Sequence, residues 1–346
     1  MGIKNLTSII KHNAPNGISK VHLSEYRGRV IAIDTSIYLY KYMYNGNYLN
    51  NFVKQILRLL RNNITPLYIF DGKPPEQKKE ILEERKHKKD QLVTKKKELE
   101  DMLENIVTDV KDTIQPHSSL SSDIVEEEIT NKLTKDQLEF ELKKVSKKII
   151  KITHDDIANL KTLFELFGIH YITSDGEAED LCSHLCQVGL VYGCMSEDTD
   201  ILANGGMVFI RDFNSNNDYI TEYKLNVILD SLEFTYTQFV DMCILCGCDY
   251  TSKIYGIGPI NAYKYINEYK TIETIITNIE SGILKKHKIP ETFDYNKARE
   301  LFKQENTTEY NKDLFKRLPI NKYKLSQFIK KECKLCDIYL SAINKL

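Results

Sequence analysis

Seven acidic side chains in this chain recur in a pattern that suits phosphate chemistry. Asp34 closes the apolar run Arg29-Val30-Ile31-Ala32-Ile33-Asp34, and Asp71 closes Pro66-Leu67-Tyr68-Ile69-Phe70-Asp71. Glu177 and Glu179 follow the run 169–173, and Asp198 and Asp200 follow 190–195. Asp249 comes after an apolar helical stretch at 237–247. A single acid at a strand end is ordinarily a helix cap or a solvated loop residue. Four β-type runs that each deliver carboxylates at the carboxyl end are harder to obtain from caps alone. In open α/β sheets that edge is where sites form. Seven carboxylates gathered there need cations to stay ionised. Hard oxygen ligands select Mg²⁺, with Mn²⁺ able to substitute, and exclude zinc. Two such ions about 4 Å apart suit phosphodiester hydrolysis.

Further residues fit the same chemistry. Lys78 and Arg85 follow Asp71 and are seven apart, so on one helix they share a face over a phosphate. Gly256-Ile257-Gly258-Pro259, before a helix reaching about Tyr269, reads as a helix-hairpin-helix turn whose backbone N–H groups meet DNA phosphate. Cys182, His184 and Cys186, and the thiols of Cys243, Cys246, Cys248, Cys333 and Cys336, lack paired zinc-ligand spacing and read as core cysteines.

The elements that must position these residues alternate strand and helix. Strands are expected at 29–34, 66–71, 169–173, 190–195, 207–211 and 218–222, with helices at 36–44, 49–62 and from Thr153 to Gly168. The spacing gives a β-α-β unit between 29–34 and 66–71, and both of its strands end in Asp. Residues 76–104 form a long charged helix, and 112–128, with Pro116, serines and Glu126-Glu127-Glu128, reads as a mobile loop. One composite domain is expected: an N-terminal region 1–95, an insert 96–150, and a second region 151–346 that contains the hairpin motif at 237–270.

The chain has 346 residues, 42% hydrophobic and 28% charged, with formal net charge −1. That is enough apolar material for a sizeable core, and bulk charge gives no pull toward nucleic acid. Its 8 cysteines in so long a chain read as reduced intracellular thiols. No run of about 18 apolar residues is present, so no membrane span is expected. Gly2 opens a myristoylation-like start, but Leu6 stands where that signal wants Ser or Thr.

Met1-Gly2-Ile3, Ala32-Ile33-Asp34, Phe70-Asp71-Gly72-Lys73-Pro74-Pro75, Glu177-Ala178-Glu179, Glu197-Asp198-Thr199-Asp200, Cys246-Gly247-Cys248-Asp249-Tyr250 and Gly256-Ile257-Gly258-Pro259 resemble, in order, the flap endonuclease family of structure-specific 5′ nucleases. The resemblance implies an α/β fold with a twisted, mainly parallel sheet flanked by helices, and a metal-dependent enzyme cutting DNA near single-strand to double-strand junctions, under a helical arch. It implies metal-site roles for Asp34, Asp71, Glu177, Glu179, Asp198, Asp200 and Asp249, and catalytic contacts for Lys78 and Arg85. Tyr40 matches a base-stacking aromatic, with Tyr38 its nearest rival, and Gly2 a terminus beside the active site. Branched or flapped DNA is the implied partner of a monomer working at intracellular sites of replication or repair.

Four departures accompany the resemblance. The segment between Tyr40 and Phe52 lacks the acidic loop that helps hold a 3′ flap. The span from Arg85 to Glu177 is longer than usual, which implies an enlarged arch. Lys253 stands where the hairpin's potassium-binding Ser is found, with Ser252 beside it. No sliding-clamp-binding tail follows. The alternatives at this point are a 5′→3′ duplex exonuclease of the same superfamily, a non-catalytic junction binder, and a single-strand RNA nuclease.

Overall fold

The computed structural model describes residues 2–113, 122–214, 216–303, 308–333 and 336–345. Seven strands form one sheet: β1 (Ile18–His22), β2 (Val30–Asp34), β3 (Thr65–Phe70), β4 (Tyr171–Thr173), β5 (Gly193–Met195), β6 (Val208–Arg211) and β7 (Tyr219–Lys224). Their order is β1-β7-β6-β5-β2-β3-β4. From β6 to β4 every pairing is parallel, and β7 and β1 add antiparallel strands at one side. The expected mainly parallel sheet is therefore present, and the run 29–34 is an inner strand of it, between β5 and β3, buried on both faces as parallel strands require.

Helices α1 (Leu6–Asn13), α2 (Thr35–Tyr44) and α3 (Tyr48–Arg61) belong to the first third of the chain. The pair α2 and α3 makes the crossover between β2 and β3, aligned Val30 to Thr65 and Asp34 to Ile69. Two long helices follow, α4 (Lys79–Thr113) and α5 (Ser122–Lys148), then α6 (His154–Leu166) and α7 (Ala178–Gln187). The short α8 (Asp200–Ala203) precedes β6, and α9 (Leu225–Leu232) and α10 (Tyr236–Cys246) follow β7. The remainder is α11 (Pro259–Tyr269), α12 (Ile272–Glu280), α13 (Tyr295–Phe302), α14 (Lys322–Glu332) and α15 (Cys336–Asn344). Among the described residues no helix is long and apolar enough to cross a membrane.

The two sheet faces carry different cores. Ala32, Leu67 and Ile69 face a cluster built with α1, α7, α10 and α11. Tyr68, pointing the other way, stacks on Phe164 of α6 at 3.9 Å, and Phe52 of α3 meets both rings edge-on. Phe52 and Phe164 are fully buried, so truncating either to Ala costs about 3–5 kcal/mol.

The chain divides into two compact units, residues 1–78 with 154–346, and Lys79–Thr153. The expected boundary at 96 is corrected, because it falls inside α4, whose Lys- and Glu-rich sequence propagates one helix from Lys79 to Thr113. The loop expected at 112–128 is corrected in part. Helix α5 already covers 122–128, while 114–121, with Pro116, lie outside the described residues. Strand β1 has no counterpart among the expectations. Its sequence Ile-Ser-Lys-Val-His alternates weakly, and β7 alone pairs with it, from Ile18 opposite Tyr223 to His22 opposite Tyr219.

Candidate active site

The chain runs from β2 outward through β3 to β4, then returns to β5 on the other side of β2. The switch point of the sheet therefore lies between β2 and β5, and there the carboxylates begin to gather. Asp34 ends β2 and uses both oxygens. Oδ1 caps α2 by accepting from the Ile37 N–H at 3.2 Å, and Oδ2 accepts from the Ser196 hydroxyl at 2.9 Å. Ser196, just past β5, also accepts from the Asp198 N–H at 3.0 Å, and Asp198 Oδ1 accepts from the Asp200 N–H at 3.1 Å. One hydroxyl thus ties the acids of two neighbouring strands.

Asp71 and Glu177 share a comparable arrangement. Glu177 occupies the N-cap position of α7 without using its side chain there. Asp71 serves instead, accepting from the Ala178 N–H at 2.8 Å. The Glu177 carboxylate is left to meet Lys78 Nζ at 2.6 Å and the Tyr250 hydroxyl at 3.1 Å. Lys78 also lies 3.6 Å from Glu179 and 5.0 Å from the centre of the Tyr250 ring. Beyond Phe70, Gly72 N–H donates to Gly176 O at 2.7 Å and Lys73 N–H to Asp175 O at 3.2 Å, which staples the loops after β3 and β4 together.

The electrostatics follow from burial. Asp34 is pushed up to about 7, by desolvation first and then by the charge of Asp71. Glu179 and Asp200 are held well above the carboxylate range by burial, then by Glu177 and Asp198 respectively. Asp249 also bears on Asp200. Burial alone would pull Lys78 down, but Glu179, Glu177 and Asp200 together raise it above its ordinary value. Lys78 is 5% exposed, so it is the internal cation of an acidic basin. Asp200, 1% exposed, keeps an Oδ1 that has no hydrogen-bond partner. That orphaned oxygen, in an all-oxygen donor set, fits a hard divalent cation. Among the described residues no three His, Cys, Asp or Glu groups stand close enough to share one ion.

Gly2 sits against this basin with φ +83°. A Cβ there would lie 2.0 Å from Asp198 Oδ1 and 2.6 Å from Asp200 Oδ1. Tyr40 is exposed on α2, whereas Tyr38 is fully buried in the core and closed to a base. Gly258 is the N-cap of α11, and Gly256 packs against His287. Arg85 is exposed on α4, in the second unit. The expectation that Lys78 and Arg85 share a helix face is corrected. Lys78 belongs to the separate 3₁₀ turn Glu76–Lys78 in the first unit, closed by its N–H on Pro75 O, because Pro74-Pro75 delay the helix to Lys79. The cysteines at 182, 186, 243, 246 and 248 are buried thiols of the apolar cluster.

Reading the sequence alone missed three participants. Ser196 carries no signal beyond its place before Glu197. Tyr250 stands next to Asp249, yet its role depends on reaching Glu177. Asp180, bonded to Asn204 Nδ2 at 2.7 Å and pushed up to about 7 by burial and Glu177, lies one residue past the recognised pair.

Residues 1–92 match the XPG N-terminal domain and residues 168–249 the XPG I-region. The Flap endonuclease 1 of Entamoeba histolytica is 31% identical over 331 residues, covering 90% of this chain and 78% of that protein. This chain belongs to the flap endonuclease family. The family comprises structure-specific 5′ nucleases that hydrolyse phosphodiester bonds in DNA. The flap endonuclease 1 of Cryptosporidium muris is 32% identical over 334 residues, covering 88% of this chain, which spans only 63% of that longer relative. Among solved structures, the catalytic core of Rad2 in complex with DNA substrate has a TM-score of 0.73 at 19% identity, covering 99% of each chain. A structure of the Holliday junction-resolving enzyme GEN1 with product DNA and Mg²⁺ gives 0.60 at 17% identity, covering 98% of this chain and 78% of that one. At those identities the structural matches establish the flap endonuclease fold.

Proposed function

We propose that this chain hydrolyses a DNA phosphodiester bond next to a single-strand to double-strand junction, leaving a 5′-phosphate and a 3′-hydroxyl. The observation that carries this reading is the convergence of Asp34, Glu177, Glu179, Asp198 and Asp200 on one basin around Lys78, with Asp200 Oδ1 unsatisfied. In this reading Asp34, Asp71, Glu177, Glu179, Asp198, Asp200 and Asp249 hold two Mg²⁺ ions, for which Mn²⁺ substitutes. Bound there, the ions supply Lewis acidity at the scissile phosphate and lower the pKa of the attacking water.

The protein's own groups do the rest. Lys78, now paired with Glu177 and Glu179, would present its ammonium to the scissile phosphate once cations held by those carboxylates balanced their charge. Arg85, on α4 in the second unit, offers an exposed guanidinium to DNA phosphate. Tyr40 offers its exposed ring to a base beside the cut. The N–H groups at Gly256 and Gly258 meet a phosphate of the duplex without reading sequence. A potassium ion at that turn is compatible with this reading, and a GEN-1 structure is described as binding potassium. The enzyme acts as a monomer, inside the cell at sites of replication or repair.

Purified protein with Mg²⁺ should cut a labelled 5′-flap duplex. Asp200→Asn should lower the rate by more than the roughly 100-fold that loss of an outer-shell metal partner costs, while flap binding in Ca²⁺ persists. Normal cutting by that variant would refute the site. A second reading, a 5′→3′ duplex exonuclease, is favoured by the connection between α2 and α3. Asn45, Gly46 and Asn47 alone join Tyr44 to Tyr48, with no acidic loop to hold a 3′ flap. Comparing flap, nicked and blunt duplexes separates the two.

A further inference from the structure

Two lysines from opposite parts of the first unit meet beside the site. Lys4 precedes α1, and its N–H donates to Gly247 O at 3.3 Å. Gly247 ends α10, two residues before Asp249, with φ +107°. The stem of Lys253 lies across it: a Cβ on Gly247 would fall 1.9 Å from Lys253 Cε and 2.6 Å from Nζ. A side chain at 247 would evict the lysine, so the glycine makes its seat. The neighbours that bear most on Lys253 are Lys4, then Cys246 and Cys248. The backbone contact of Lys4 with Gly247 and the seat of Lys253 across that glycine hold two ammonium groups together against their mutual repulsion. Lys253 stands in the chain between Asp249 and Gly256, on the path from the carboxylates to the hairpin turn.

We propose that Lys4 and Lys253 together grip one phosphate of the DNA backbone, between the cleavage site and the hairpin contact. The proposal rests on the nuclease reading above. One anion shared by two ammoniums relieves their repulsion, and a phosphodiester is the anion that DNA brings to this place.

The test is equilibrium binding of a 5′-flap duplex to the full chain, with Ca²⁺ replacing Mg²⁺, from about 50 to 200 mM salt. Lys4→Gln and Lys253→Gln should each weaken binding about threefold to tenfold at low salt and lower the salt slope by about one. The double variant should lose no more than the worse single, because one contact is removed in each. Lys20→Gln, on exposed β1, should change neither quantity. A walk of single neutral methylphosphonates along the flap substrate should find one position that weakens the wild type but not the double variant. Unchanged slopes in both single variants, losses that add in the double, or no such position would each overturn the clamp while leaving the nuclease reading intact. Failure of the wild-type protein to bind flap DNA would overturn both. Circular dichroism and melting curves of each variant separate lost contact from lost fold.

Discussion

Asp34 shows why a cap and a ligand need not be alternatives: its two oxygens point to different tasks, one to the α2 N-terminus and one to Ser196. The residue type and its place at the end of an apolar run were legible because both are local. What Asp34 meets across β5 was not, because Ser196 is remote in sequence. The same limit explains Lys78, whose spacing to Arg85 fits a helix but whose preceding prolines place it in a separate turn facing Glu177. Two predictions belong at this scale. Asp34 binds its proton more tightly folded (about 7) than unfolded (3.8), so metal-free stability falls as pH rises through that window. Asp34→Asn should therefore raise the melting temperature of metal-free protein at pH 8 and leave it unchanged below pH 3.8. A lower melting temperature at pH 8 would contradict the desolvation account. Gly2→Ala should reduce cleavage by about 10–100-fold with little change in melting, since the new methyl displaces Asp198 and Asp200. Steady-state rates and thermal melts measured together check this.

At the scale of elements, the strands that line the site were legible and the supports around it less so. Continuous apolar runs mark β2, β3 and β5 because both their faces are covered. Strand β1 escaped notice because its residues are largely half-buried or exposed, and only register with β7 defines it. The helices on either side of the hairpin are joined by Arg299 of α13, which makes a bidentate pair with Asp241 of α10, both bonds 2.6 Å, and another with Glu273 of α12, at 2.6 and 3.0 Å. Asp241 is 1% exposed. Arg299→Met should therefore cost about 3–5 kcal/mol in denaturant unfolding, because it leaves a buried carboxylate unpaired. Glu273→Gln should cost under about 1 kcal/mol, since that side chain is half exposed. Equal costs would mean the bond to Asp241 is not the source of the stability.

At the scale of the whole molecule, the first unit is assembled from both ends of the chain, with Lys79–Thr153 inserted between them. Strands β2 and β3 obtain neighbours β5 and β4 only from the later segment. Residues 2–78 alone should accordingly give no cooperative melting transition, and a sharp one by circular dichroism would show that the early β-α-β region folds independently. That an insert existed could be read from its charge and lack of apolar periodicity. Its limits could not, since Lys- and Glu-rich sequence continues one helix without marking where the first unit ends.

The two outer strands of the sheet differ from the buried ones. Strand β4 is three residues long, and β1 carries exposed Ser19 and Lys20 at its centre. Brief or charged margins offer little template to a strand from another molecule. The protein should accordingly withstand high concentration without growing cross-β fibrils from its sheet, despite inner runs as apolar as Val30-Ile31-Ala32-Ile33 and Leu67-Tyr68-Ile69-Phe70.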